Sequence, residues 1–265
     1  MIYSDFPETK GKRALVLVSG GMDSRVCLQK AVKDLGAKHV IAACTFYGQK
    51  HDKEIEYADM AARKLGVEFH VVNMSSVFDF NKDCSALLQG SKLDIELNSY
   101  EEQMKERHDK GKPMIPNALV PFRNGLFLSY ATALALQFKC DYVLYGAHAS
   151  DAHIELTDEN GNTDEATPYP DCTSAFIEAM SDAIYLGTGG VTRMVAPIYN
   201  MTKAQVAQYG IELGMTKDDF KETWSCYCGG DNRECGICGT CREKIDSLRV
   251  IGFTDMELLQ KFKEI

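Results

Sequence analysis

Apolar and polar positions along the first part of the chain follow two rhythms. Apolar runs at 13–18, 39–46 and 67–73 read as strands. The segments between them, 24–35 and 52–65, carry the 3.6-residue spacing of helices. The order β-α-β-α-β predicts an α/β fold with a doubly wound, mainly parallel sheet and helices on both faces. Residues 75–119 lose this periodicity and are rich in Lys, Asp, Glu and Ser. They are expected to form a long excursion with some helix, as a lid or a dimer contact. Order returns with a small-residue helix over 125–138 and a strand over 142–145. The polar stretch 155–167 reads as a turn-bearing insertion, followed by a helix over 174–186. Thr202 reads as the N-cap of a helix running to about residue 213. No repeat or linker interrupts the pattern, so one α/β domain is expected over 1–222, with a segment over 223–265 packed on it.

The turn between the first strand and the first helix carries the strongest chemistry. Ser19-Gly20-Gly21-Met22-Asp23-Ser24 ends a strand in small residues and opens a helix. Such a turn aims free backbone N–H groups, and the positive end of the helix dipole, at one point. That is a phosphate cradle. Ser19 and Ser24 add hydroxyls, and Asp23 can hold a Mg²⁺ that shares the phosphate charge. The alternative is a glycine turn with a serine cap. The spacing is not that of the Walker loop, which needs a Lys-Ser/Thr pair after its last glycine.

The 265-residue chain carries a net charge of −9, which disfavours broad contact with a nucleic-acid backbone and suits a small-molecule substrate. No apolar run reaches the ~18 residues of a transmembrane helix. Of the ten cysteines, Cys226, Cys228, Cys235, Cys238 and Cys241 crowd near the C-terminus. With no secretory pattern at the start, the cluster points to a metal site in a reducing compartment, so a cytoplasmic location is expected. Cys226, Cys235, Cys238 and Cys241 have the spacing C-x8-C-x2-C-x2-C, which suits a four-thiolate zinc centre. Gly229, Gly230, Gly236 and Gly239 supply its tight turns. Cys228 fits a ligand pair less well and is left out. An iron–sulfur cluster is the rival. Four thiolates leave no open position, so the metal is expected to be structural and to pin the tail near the active site.

Leu17-Val18-Ser19-Gly20-Gly21-Met22-Asp23-Ser24 resembles the pyrophosphate loop of the N-type ATP pyrophosphatases, which implies an adenine nucleotide alpha hydrolase-like fold and cleavage of ATP between its α and β phosphates. Further segments narrow the resemblance: Phe46-Tyr47-Gly48-Gln49-Lys50-His51, Val120-Pro121-Phe122-Arg123-Asn124, Gly146-Ala147-His148-Ala149, Tyr169-Pro170-Asp171-Cys172, Phe176-Ile177-Glu178-Ala179, Thr202-Lys203-Ala204 and Thr223-Trp224-Ser225-Cys226-Tyr227. Together they resemble the 7-cyano-7-deazaguanine synthase family over nearly the whole chain.

The resemblance implies an ATP-dependent carbon–nitrogen ligase. It would adenylate 7-carboxy-7-deazaguanine and convert it with ammonia, through an amide, to the nitrile used for queuosine. It also implies a homodimer. The expected ATP and Mg²⁺ contacts are Ser19, Gly20, Gly21, Asp23, Ser24, Gln49 and Lys50, with Asp23, Ser24, Lys50 and Arg123 taking part in catalysis. Arg123, Asn124, His148, Tyr169 and Asp171 are expected at the substrate. Each has a structural alternative: a solvated loop lysine for Lys50, a buried pair for Arg123 and Asn124, a turn cap for Asp171, a structural histidine for His148. Phe176 and Trp224 read as core. The insertion at 153–167 departs from the family pattern. It leaves open a relative that stops at the amide or couples the activated acid to a protein amine. A non-catalytic, zinc-stabilised nucleotide-binding module is the remaining alternative.

Overall fold

A computed structural model describes residues 2–157, 163–229 and 232–265. Strand β1 (Ala14–Leu17) runs into helix α1 (Met22–Leu35), β2 (Val40–Phe46) into α2 (Lys53–Leu65), and β3 (Glu68–Asn73) into the excursion that contains α3 (Tyr100–Asp109). Then come α4 (Arg123–Gln137), β4 (Tyr142–Leu144) and the short α5 (Ala149–Ala152). The hairpin strands β5 (Ile154–Thr157) and β6 (Thr163–Ala166) precede α6 (Ser174–Gly187) and β7 (Arg193–Val195). The chain ends with α7 (Lys203–Glu212), α8 (Lys217–Lys221), α9 (Gly239–Val250) and α10 (Asp255–Lys261).

The central sheet has the order β3-β2-β1-β4-β7, with every pair parallel. Side chains on a strand alternate between faces, and both faces of β1, β2 and β4 are buried, while the edge strand β3 is mostly exposed or half-buried. Ala14 and Val16 of β1 join Val40, Ala42 and Cys44 of β2 on one side, beneath α1 and α2. Leu15, Ile41, Ala43 and Val143 pack on the other side with Leu128 of α4 and Ile177 of α6. The chain winds outward from β1 in both directions, so the order reverses between β1 and β4. In such sheets, ligands bind beyond the carboxyl ends of the strands at that reversal.

The expected doubly wound sheet is therefore present, with strand and helix bounds within a few residues of those read from the pattern. Strand β7 and helices α8, α9 and α10 were not marked in the sequence. Three residues starting with Arg193 are too short a run to show alternation, and α9 begins inside the cysteine cluster. The excursion at 75–119 builds a small core of its own, Phe78, Leu87, Leu88, Ala118 and Val120, around Tyr47 from the end of β2. Helix α3 starts with a capping box between Ser99 and Glu102. The polar insertion is an antiparallel hairpin whose Leu156 and Ala166 pack on Met104 of α3; residues 158–162 of it lie outside the described residues. No helix among the described residues is long and apolar enough to cross a membrane.

Candidate active site

A cavity opens at the carboxyl ends of β1, β2 and β4, where the strand order reverses. Its floor is the turn after β1. Gly20 adopts φ +74°, and a Cβ there would lie 2.2 Å from the carbonyl oxygen of Glu54, so only glycine lets α2 close over the turn. Ser24 Oγ donates to the Gly21 carbonyl at 3.1 Å and accepts from the Ser19 N–H at 3.0 Å. Ser19 Oγ lies 3.2 Å from Ser24 Oγ. The turn is thus pre-shaped by its own side chains, with the first-turn N–H groups of α1 left for a ligand.

Asp23 lines the cavity, and its Oδ2 accepts from the Lys203 ammonium. Desolvation opposes ionisation of Asp23, but Lys203 and then His148 hold its carboxyl below the usual range. Its Oδ1 is buried and has no hydrogen-bond partner among the described residues. Lys203 is the first residue of α7, where a cation opposes the helix dipole. Desolvation works against its charge, and Asp23, Asp151 and Glu243 more than compensate. This lysine is not among the residues expected at the site from the sequence. Its misfit at a helix start, after the Thr202 cap, is the signal that could have found it.

At the other end of the cavity Arg123 opens α4. Its guanidinium lies 5.4 Å from the centre of the Tyr47 ring and 5.9 Å from that of Phe127, and it donates to the Tyr47 hydroxyl at 3.2 Å. Desolvation disfavours this charge, yet the Tyr47 and Tyr227 phenols and the Asp171 and Glu54 carboxylates sustain it. Asn124 and Tyr169 line the same end, and Tyr169 donates to the Tyr100 hydroxyl of α3 at 3.2 Å.

Several expected contacts lie elsewhere. Gln49 and Lys50 do not line the cavity. The Gln49 amide folds back to accept from the Tyr47 N–H at 2.8 Å, and Lys50 donates to the Leu93 carbonyl of the excursion. Asp171 accepts from the Asn124 N–H at 3.2 Å, the turn-capping role, with its carboxyl pushed up by burial. His148 stands behind Lys203, 3.1 Å from its Nζ and 3.3 Å from Asp151. Ser19, Gly21, Asp23, Ser24, Arg123, Asn124 and Tyr169 do meet around one cavity.

The cysteine-bearing segment supplies the remaining wall: Trp224, Ser225, Tyr227, Thr240 and Glu243. Cys226, Cys228, Cys235 and Cys238 have thiols that all lie within 4.8 Å of one another. Cys241 Sγ lies 3.8 Å from Cys235 Sγ, so five thiols gather where four were expected, with Cys228 drawn in. The N–H groups of Ile237 and Cys238 both donate to Cys235 Sγ at 3.4 Å, and the Cys235 N–H donates to Cys226 Sγ at 3.3 Å. Soft thiols polarised by backbone N–H groups suit a thiophilic ion such as Zn²⁺. Of the four glycines expected to shape this segment, Gly230 lies outside the described residues. Behind the thiols, the fully buried Glu234 carboxylate accepts from Lys244 at 2.9 Å and from the Ser225 N–H at 2.7 Å, and pairs with Lys261 at 3.0 Å.

A family model described as "Queuosine biosynthesis protein QueC" matches residues 13–252. The 7-cyano-7-deazaguanine synthase of Caldicellulosiruptor saccharolyticus is 37% identical over 92% of this chain and 93% of its own. Those of Methanoregula boonei (34%) and Colwellia psychrerythraea (synthase 1, 32%) match over 92% of this chain and 97% of theirs. Among solved structures, an NMN synthetase from Francisella tularensis covers 94% of this chain and 81% of its own at 15% identity and a TM-score of 0.42. That likeness is too distant to carry an assignment, which rests on the sequence relatives.

Proposed function

Because the chain belongs to the family of queuosine biosynthesis proteins QueC, we propose that it is an ATP-dependent carbon–nitrogen ligase acting on 7-carboxy-7-deazaguanine. The observation that carries this reading is the shared cavity of the Ser19–Ser24 turn with Lys203 at one end and Arg123, Asn124 and Tyr169 at the other. A carboxylate is a poor electrophile because its leaving group would be oxide. Transfer of the α phosphorus of ATP to a carboxyl oxygen gives it AMP as leaving group. In this reading the turn's N–H groups and the Ser19 and Ser24 hydroxyls hold the β and γ phosphates, while Lys203 neutralises charge on the departing pyrophosphate. Arg123 faces the substrate carboxylate, and the aromatic wall holds the flat base. Ammonia then displaces AMP to give the amide. A second adenylation, on the amide oxygen, leads to the nitrile. Holding both reactants in line can supply about 7–11 kcal/mol of the barrier.

The orphaned Asp23 Oδ1 fits a hard cation, so Asp23 would hold Mg²⁺, which when bound disperses phosphate charge. Cys226, Cys235 and Cys238, with Cys241 or Cys228 as the fourth thiol, would hold a structural zinc. A homodimer in the cytoplasm, with small molecules rather than nucleic acid as partners, completes the proposal.

The experiment is pyrophosphate release with 7-carboxy-7-deazaguanine, with and without ammonium, followed by mass spectrometry of the product. Substrate-dependent release and a nitrile product are expected. Release that ignores the deazaguanine acid defeats the assignment, and an amide or protein adduct as final product replaces it with a diverged activity.

A further inference from the structure

We propose that Glu54 is the group in the cavity that receives ammonium and takes its proton. This inference rests on the ligase reading above and concerns a residue that plays no part in it. Glu54 is the second residue of α2 and lines the cavity. Its main-chain carbonyl covers the Gly20 turn, while its carboxylate interacts with Arg123 of α4. It therefore stands where the phosphate end of the cavity meets the aromatic end, which is where an acyl adenylate must present its carbonyl carbon.

The other acids on the cavity wall have cations or histidine beside them. Asp23 holds Lys203, Asp151 lies 3.3 Å from His148, and Glu243 faces Lys203. The Glu54 carboxylate makes no hydrogen bond to another described residue, and the Arg123 guanidinium that faces it is bonded to the Tyr47 hydroxyl. The groups around it come from every packed element: Cys44 and Tyr47 from the end of β2, Arg123 from α4, Tyr227 and Glu234 from the cysteine segment. Desolvation, which outweighs Arg123, pushes its carboxyl up to about 7. A carboxylate with that affinity for protons exchanges them readily at neutral pH.

Ammonium is the one reagent of this reaction that is a cation and must lose a proton to become a nucleophile. Glu54 takes one proton, leaving ammonia and a neutral carboxylic acid. The nitrogen lone pair forms the C–N bond, and the C–O bond to AMP breaks with its electron pair leaving on AMP. The second proton passes from nitrogen to solvent, and Glu54 releases its own to solvent before the next cycle.

The test separates the two half-reactions in E54Q and E54D, each checked for a native near-ultraviolet circular dichroism spectrum. ATP–pyrophosphate exchange driven by 7-carboxy-7-deazaguanine without ammonium reads adenylation. Amide formation against ammonium concentration and pH reads the second step. In E54Q, amide formation is expected to fall about 10²–10⁴-fold while exchange falls far less, the size of a lost acid–base group. Raising the pH, which supplies free ammonia, should recover much of it, and E54D should retain part. Equal loss of exchange and amide formation would place Glu54 on the nucleotide and overturn the proposal. So would an unchanged ammonium dependence in E54Q. If the wild-type protein shows no substrate-dependent exchange, the ligase reading itself fails and this inference with it.

Discussion

The Trp224 main-chain N–H donates to the Gly20 carbonyl at 2.8 Å, across more than two hundred residues of chain. That bond ties the cysteine segment to the phosphate turn. Trp224 also packs its ring against Tyr57 of α2 and lies within 4.7 Å of the Lys53 ammonium. Ser225 and Tyr227, on either side of Cys226, face the cavity. The thiol cluster is thus placed to hold one wall of the site in position, as expected for a structural ion.

Removing the metal should therefore cost both stability and activity. Cys235→Ser removes the thiol that accepts two backbone N–H groups and lies beside Cys241. We expect loss of bound metal by atomic absorption, a lowered Tm, and loss of pyrophosphate exchange in parallel. Cys228→Ser should keep the metal, because Cys241 remains to complete four thiols. Full metal retention in C235S would argue against a thiolate centre.

Gly20→Ala should be destabilising out of proportion to its size. The added Cβ meets the Glu54 carbonyl, which belongs to a helix and cannot swing aside, and φ +74° is costly for alanine. A loss of about 1–3 kcal/mol is expected in denaturant unfolding, with a weakened ATP affinity. A Tm equal to that of wild type would show the turn to be looser than described.

Lys203→Met should reduce adenylation about 10²–10³-fold, the scale of one lost group that stabilises developing charge. The variant also leaves Asp23 without its main cation, so its pKa should rise. Substrate-dependent ATP–pyrophosphate exchange checks the first effect. Exchange at the wild-type rate would remove Lys203 from the phosphate site.

Glu54 sets a pH dependence whose sign is fixed by its raised folded-state value. Desolvation lifts it from 4.5 to about 7, so between those values the folded protein binds more protons than the unfolded chain. Its contribution to stability is complete below about 4.5 and is lost as the pH rises through 7. Glu54→Gln mimics the protonated form. Its Tm should match wild type near pH 4 and exceed it at pH 8, the stability–activity exchange expected of a functional acid. A difference that does not change with pH would remove the shifted acid.

Much of the site was legible where chemistry depends on neighbours in sequence. The Ser19–Ser24 turn follows from an apolar run meeting small residues and a helix, and the thiol cluster follows from cysteines spaced for tight turns. Gln49 and Lys50 lie outside the cavity for the opposite reason. They sit just past β2, where ligands bind in such sheets, but the excursion at 75–119 comes back and engages them, with Gln49 bridged to Leu88. A segment without periodicity gives no warning of where it packs.

The order of strands and helices was settled by local pattern, because burying a strand on two faces or a helix on one writes its period into consecutive residues. Which side chains meet was settled only by the folded chain. Lys203 reaches Asp23 from 180 positions away, and Glu54 faces Arg123 because α2 closes over a glycine turn at one end of the cavity. Desolvation and charge pairing of this kind depend on distances through space, and a linear sequence does not contain those distances.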